Sequence, residues 1–141
     1  LLNKNNKVFV GKRIDNPSSF WQMPQGGVDK EEKIYAAALR ELKEETSAVS
    51  VKLVKELDNW YEYNLPKNLL GKIWKGKYRG QKQKWFVMKF TGDETEINIK
   101  TKNPEFFKWK WVRPDELTNV VVKFKLELYR KIYKELKVIL N

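Results

Sequence analysis

The stretch from Gly26 to Ala48, GGVDKEEKIYAAALRELKEETSA, constrains the chain more than any other. Pro24 and the Gly26-Gly27 pair are turn formers, and glycine lets backbone approach a ligand closely. Asp29 with Glu32 three residues later is a capping-box pattern, so the spacing predicts a helix starting there. At about 100° per residue, Ile34, Tyr35, Ala38, Leu39 and Leu42 share a sector that should face a core. Glu41, Glu44 and Glu45 share the neighbouring sector, with Ala37 leaving room beside them. Like charges so placed repel, unless a hard divalent cation such as Mg²⁺ or Mn²⁺ binds their oxygens. A lone ExxEE is ordinarily just a solvated helix face. Here a glycine turn, a cap and an arginine also stand at fixed offsets.

These residues resemble the Nudix box, G-x5-E-x7-R-E-U-x-E-E-x-G-U with U apolar. Gly26, Glu32, Arg40, Glu41, Leu42, Glu44, Glu45 and Ala48 match it, and Ser47 stands where the family has glycine. The resemblance implies an α+β, α/β/α Nudix sandwich with a mixed central sheet. It also implies hydrolysis of phosphoanhydrides with Mg²⁺, or Mn²⁺, held by Glu41, Glu44 and Glu45. Arg40 would orient or neutralise those carboxylates, Glu32 and Gly27 would support the turn, and the carbonyl of Gln25 or Gly26 would complete the metal shell.

A finer resemblance covers almost the whole chain. Trp21 to Gly27, Gly80 to Phe86 and Asn103 to Phe106 look like the RNA pyrophosphohydrolase branch of that family. Members of the branch convert a 5′-triphosphate RNA end into a monophosphate, and near relatives hydrolyse dinucleoside polyphosphates. Two enzymatic alternatives therefore stand, and a non-catalytic RNA-binding module is a third. By position, Glu105 is a distal carboxylate that joins the metal site or acts as base. Arg13, Lys82 and Lys84 would meet phosphates, while Tyr63, Phe124 and Lys125 resemble positions that contact the first nucleotides. Tyr63 and Phe124 could equally be core residues.

Composition narrows the chemistry. Without histidine or cysteine, the usual nitrogen and sulfur sites for zinc are missing, and a general base must be a carboxylate, Lys or Tyr. The excess of 29 Lys and Arg over 18 Asp and Glu, a net charge of +11, favours polyanionic partners. No apolar run approaches the roughly 18 residues of a membrane span, so a cytoplasmic protein of one domain, residues 1–141, is expected.

Along the chain, Val8 to Val10, Val51 to Val54, Trp60 to Tyr63, Trp85 to Phe90, Glu96 to Ile99 and Phe107 to Val112 read as strands. Lys67 to Gly80 reads as a loop, Pro114 to Leu117 as a short helix, and a long amphipathic helix should run from about Val121. Leu1-Leu2 reads as the tail of a preceding strand, with native N-terminal residues expected before it. Ser47 is expected to adopt positive φ, at a cost on the order of 1 kcal/mol.

Overall fold

Alternation along two strand pairs builds the central layer. A computed structural model describes residues 1–15, 19–68, 70–71 and 80–141. Strand β1, Val8–Arg13, pairs antiparallel with β4, Phe106–Val112. Strand β2, Val51–Asn64, pairs antiparallel with β3, Gly80–Phe90. Leu1 and Leu2 join the two ladders. Leu2 N–H donates to Met88 O at 2.8 Å, Phe90 N–H donates to Leu2 O at 2.7 Å, and Phe9 N–H donates to Leu1 O at 2.9 Å. Leu2 bridges parallel to Lys89 and antiparallel to Val8, so the sheet is mixed. The strand tail expected at Leu1-Leu2 is thus paired on both sides.

Period-two alternation then gives each sheet face its own core. Val8, Val10, Val87 and Val112 pack with Leu128, Tyr129, Ile132 and Leu136 of helix α3, Leu126–Leu140. Phe9, Met88, Phe90 and Phe106 pack with Leu42 of helix α1, Ile34–Thr46. Phe9 is fully buried, stacked on Trp109 at 5.4 Å and edge-on to Trp111 at 5.8 Å. Such aromatic pairs contribute about 0.5–1.5 kcal/mol each beyond area burial. A sheet covered by one helix on either face is the α+β layering expected from the sequence.

Helix α1 is rich in Ala, Leu and Glu, which favour helix. It starts at Ile34 with Lys33 as the preceding residue, not at Asp29. The Asp29–Glu32 pair does form, with Asp29 N–H donating to Glu32 Oε1 at 2.9 Å. It closes a turn outside the helix, because Arg40 holds the Glu32 carboxylate there through two bonds of 2.9 Å. The helix ends at Ser47, whose φ of 67° is left-handed as expected, and whose hydroxyl donates to Asn98 O at 2.7 Å. Ser47→Ala keeps the strain and loses that bond, so a destabilisation of about 1 kcal/mol is expected in urea melts. Ser47→Gly exchanges the bond for relief of the strain, and should stay within about 1 kcal/mol of the parent.

Three other expectations are corrected. The two strands read at Val51–Val54 and Trp60–Tyr63 are one strand, β2, with register shifts between Leu53 and Lys55 and between Glu56 and Trp60. Glu96–Ile99 is not a strand; residues Glu94–Glu96 form a single 3₁₀ turn. The Glu96 carboxylate accepts from Val49 N–H, Ser50 N–H and the Ser50 hydroxyl, which fixes the turn. The terminal helix begins at Leu126, and Phe124 sits in a preceding 3₁₀ turn, Lys123–Lys125. The short helix near Pro114 is present as a 3₁₀ turn, Pro114–Glu116, running into α2, Leu117–Val120. Of the expected loops, residues 16–18, 69 and 72–79 lie outside the described residues.

Candidate active site

A cleft of about 970 Å³ opens between α1, the turn at Pro24–Val28, and β3. One wall is acidic. Glu41 and Glu45 reach it from successive turns of α1, and Glu105 reaches it from the residue before β4. Glu44 is not on this wall; its side chain is 56% exposed and lies 3.3 Å from Arg40. The spacing that put three glutamates on one helix face therefore delivers two to the cleft, and the third carboxylate comes from Glu105.

Glu45 is the unusual member. It is 4% exposed, and its Oε2 has no hydrogen-bond partner. Burial, then the nearby Glu41 and Glu105 charges, push its carboxyl up to about 9, against a backbone hydrogen bond from Gln25 and the charge of Arg13. Burial also raises Glu41, despite its contact with Arg40, and Glu44 and Glu105 add to the rise. Among the described residues no three acidic side chains already form a metal cage. The donor set nevertheless fits a hard divalent cation: a buried carboxylate oxygen without a hydrogen-bond partner lies near two further carboxylates.

Arg40 organises the approach to this wall. Its guanidinium donates to Glu32, to Glu41 Oε1 at 2.8 Å and to Gly27 O at 2.8 Å, so it pins the glycine turn against the helix. Glu32, half-buried, is drawn down to about 2 chiefly by Arg40 and then by Asp29 N–H. Gly26 lies so close to Glu41 that a Cβ would stand 2.0 Å from its Cδ. That absent side chain is what gives the Glu41 carboxylate its place.

The rest of the lining is basic and amide-rich. Arg13, Lys82 and Lys84 all line the cleft. Arg13 is engaged by Asp15 through bonds of 2.7 and 2.6 Å and lies 3.6 Å from Glu105. Lys82 and Lys84 sit over the ring of Trp60 at 5.5 and 5.8 Å, and Lys84 also donates to Asp58 O. Trp60, 49% exposed at the cleft, was not singled out by composition, which assigns tryptophan to the core. Pairing the two strands would have found it, because Trp60 stands directly opposite Lys84.

Tyr63, Phe124 and Lys125 form an adjoining cluster rather than a wall of the cleft. Tyr63 is buried at 7% exposure, packs on Phe124 at 5.9 Å and donates its hydroxyl to Gln81 Oε1. Gln81, Gln83 and Gln25 link that cluster to the cleft by side-chain amide bonds; sequence reasoning missed the first two. Lys125 is 5% exposed, yet among the described residues its Nζ meets the Gln22 and Gln25 side-chain oxygens and the faces of Tyr63 and Phe124. Burial, then the Arg13 charge, lower its ammonium to about 8. Lys125→Met should therefore raise the melting temperature at neutral pH. The parent recovers relative stability as pH climbs from about 8 to the ordinary 10.5, where the unfolded lysine also loses its proton.

Comparisons agree with this architecture. The NUDIX domain family model matches residues 1–136. The chain is 61% identical over 141 residues to an RNA pyrophosphohydrolase of Pelagibacter ubique (strain HTCC1062), covering 100% of this chain and 89% of that protein. It is 47% identical over 135 residues to an RNA pyrophosphohydrolase of Rickettsia conorii (strain ATCC VR-613 / Malish 7), covering 96% and 84%. In fold it resembles the E. coli dihydroneopterin triphosphate pyrophosphohydrolase, with a TM-score of 0.73 at 18% identity over 95% of this chain and 90% of that one.

Proposed function

The chain belongs to the NUDIX family, and we propose that it is an RNA pyrophosphohydrolase, converting 5′-triphosphorylated RNA ends to 5′-monophosphates. The observation that carries the reading is the cleft itself: Glu45, buried with one oxygen unpartnered, shares it with Glu41 and Glu105 and with the cations Arg13, Lys82 and Lys84. The 61% identity to an RNA pyrophosphohydrolase over the full length of this chain supports the choice of RNA.

Each wall has a separate task. Arg13 offers a planar fork and Lys82 and Lys84 point charges, so together they bind and orient the phosphates. Glu41, Glu45 and Glu105, with the Gln25 carbonyl, would hold Mg²⁺, which Mn²⁺ can replace; Glu44 would join them by releasing Arg40. When bound, such a cation neutralises phosphate charge and lowers the pKa of water. Arg40 positions Glu41 and the turn. Water attacks phosphorus, the phosphoanhydride P–O bond breaks, and a carboxylate of the cluster takes the water's proton. Phe124, half-buried, would offer its ring to the first nucleotides, and the buried Tyr63 and Lys125 back that ring from behind. Acting on transcripts, the protein would work in the cytoplasm.

The test compares kcat/KM on triphosphorylated RNA with that on a dinucleoside tetraphosphate, both with Mg²⁺. A clear preference for RNA is expected. Preference for the free dinucleotide would overturn the choice of substrate while leaving the metal site in place.

A further inference from the structure

Strand register places Lys12 directly opposite Lys108, and Lys110 opposite Val10. By alternation, Lys12, Lys108 and Lys110 share the face of the sheet that carries Val8, Val10 and Val112. Like charges directly opposite each other destabilise a ladder, so folding alone would favour an acid across from Lys12. None is supplied. Among the described residues, no carboxylate lies within 4.0 Å of any of these three ammonium groups. Instead Lys12 and Lys110 converge on one ring, with Nζ atoms 4.9 and 4.4 Å from the centroid of Trp21.

The platform begins where the nucleotide cluster ends. Lys125 Nζ donates to the side chain of Gln22, the residue after Trp21, and Gln22 pairs through its backbone with Gly11, the residue before Lys12. A strand of nucleotides passing the half-buried Phe124 would reach the half-buried Trp21, which is not among the residues lining the catalytic cleft. Resting on the RNA reading of the cleft, we infer that Lys12, Lys108 and Lys110 with Trp21 form a second, sequence-tolerant site for the RNA backbone downstream of the 5′-terminal nucleotides. Its chemistry is that of single-strand binding: cations spaced along a path, beside an aromatic platform. Phosphates there would relieve the lysine repulsion that the free protein carries.

The test uses the triple variant Lys12→Gln, Lys108→Gln, Lys110→Gln, on a triphosphorylated dinucleotide and on a triphosphorylated single strand of about 20 nucleotides. With the longer RNA at low salt, kcat/KM is expected to fall about tenfold or more, and its logarithmic salt slope to shrink by about 2, roughly 0.7 per lost phosphate contact. With the dinucleotide both should stay within about twofold of the parent. Binding of the same strand bearing a 5′-hydroxyl should weaken about tenfold, a readout that needs no turnover. The melting temperature should change little, since the relief of repulsion offsets the lost contacts of Lys12 and Lys110 with the Trp21 ring. An equal fall on both substrates would put the lysines to work in the cleft and overturn the inference. Unchanged handling and binding of the long strand would overturn it too, leaving the face to an acidic protein. If neither protein releases phosphate from either substrate, the functional reading fails, and hydroxyl-strand binding still decides the face.

Discussion

Glu45→Gln should fold as the parent does and hydrolyse triphosphorylated RNA about 10²- to 10⁴-fold more slowly. The substitution is nearly isosteric, so the packing around this buried side chain is kept. Among the described residues, it removes the one carboxylate with an oxygen buried without a partner. Stability should respond in the opposite direction to activity. The native carboxyl keeps its proton up to about 9, whereas in the unfolded chain it is lost near the ordinary 4.5. Between those values the folded state binds more protons than the unfolded one, so metal-free parent protein loses stability as pH rises through the window. Thermal melts in EDTA should show that decline, and Glu45→Gln should flatten it. Mg²⁺ should stabilise the parent more at the alkaline end, where binding no longer has to displace a proton. A parent melting temperature independent of pH over this window would contradict the assignment of Glu45 as a buried, uncompensated acid.

Gly26→Ala is the second large effect, and it separates site geometry from stability. The new methyl group would stand 2.0 Å from Glu41 Cδ and 2.2 Å from its Oε2. Gly26 has no positive φ, so the backbone tolerates alanine. What must move is a flexible carboxylate, and it can move only by leaving the wall it shares with Glu45. A fall of about 10²-fold in kcat/KM is expected, since small misplacements of catalytic groups have that effect. The melting temperature should change little. Equal losses of activity and stability would mean that the turn, not the carboxylate, is what glycine protects.

Helix α1 and its acids were legible because a 3.6-residue period sorts core and cleft without any tertiary information. The helix start was less so. Asp29 and Glu32 carry the cap pattern, but Arg40 competes for Glu32 and draws the pair into a separate turn. Ile97 and Ile99 mimic strand alternation, while the contacts that prevent a strand come from Val49 and Ser50, more than forty residues away. Trp60, Gln81 and Gln83 escaped notice for a related reason. Bulges in β2 set which residue faces which, and no local pattern shows where a bulge falls. Glu105 was found only by resemblance to a family motif. Nothing local distinguishes it from any other loop acid, since its partners Arg13 and Glu45 are remote in sequence.

The most direct test of the central claim follows the 5′ end of the substrate. Folded protein with Mg²⁺ and 5′-triphosphorylated RNA should yield monophosphorylated RNA and release pyrophosphate or phosphate, and EDTA should stop both. Recovery of intact triphosphate ends from protein shown to be folded and metal-loaded would contradict the account at its root.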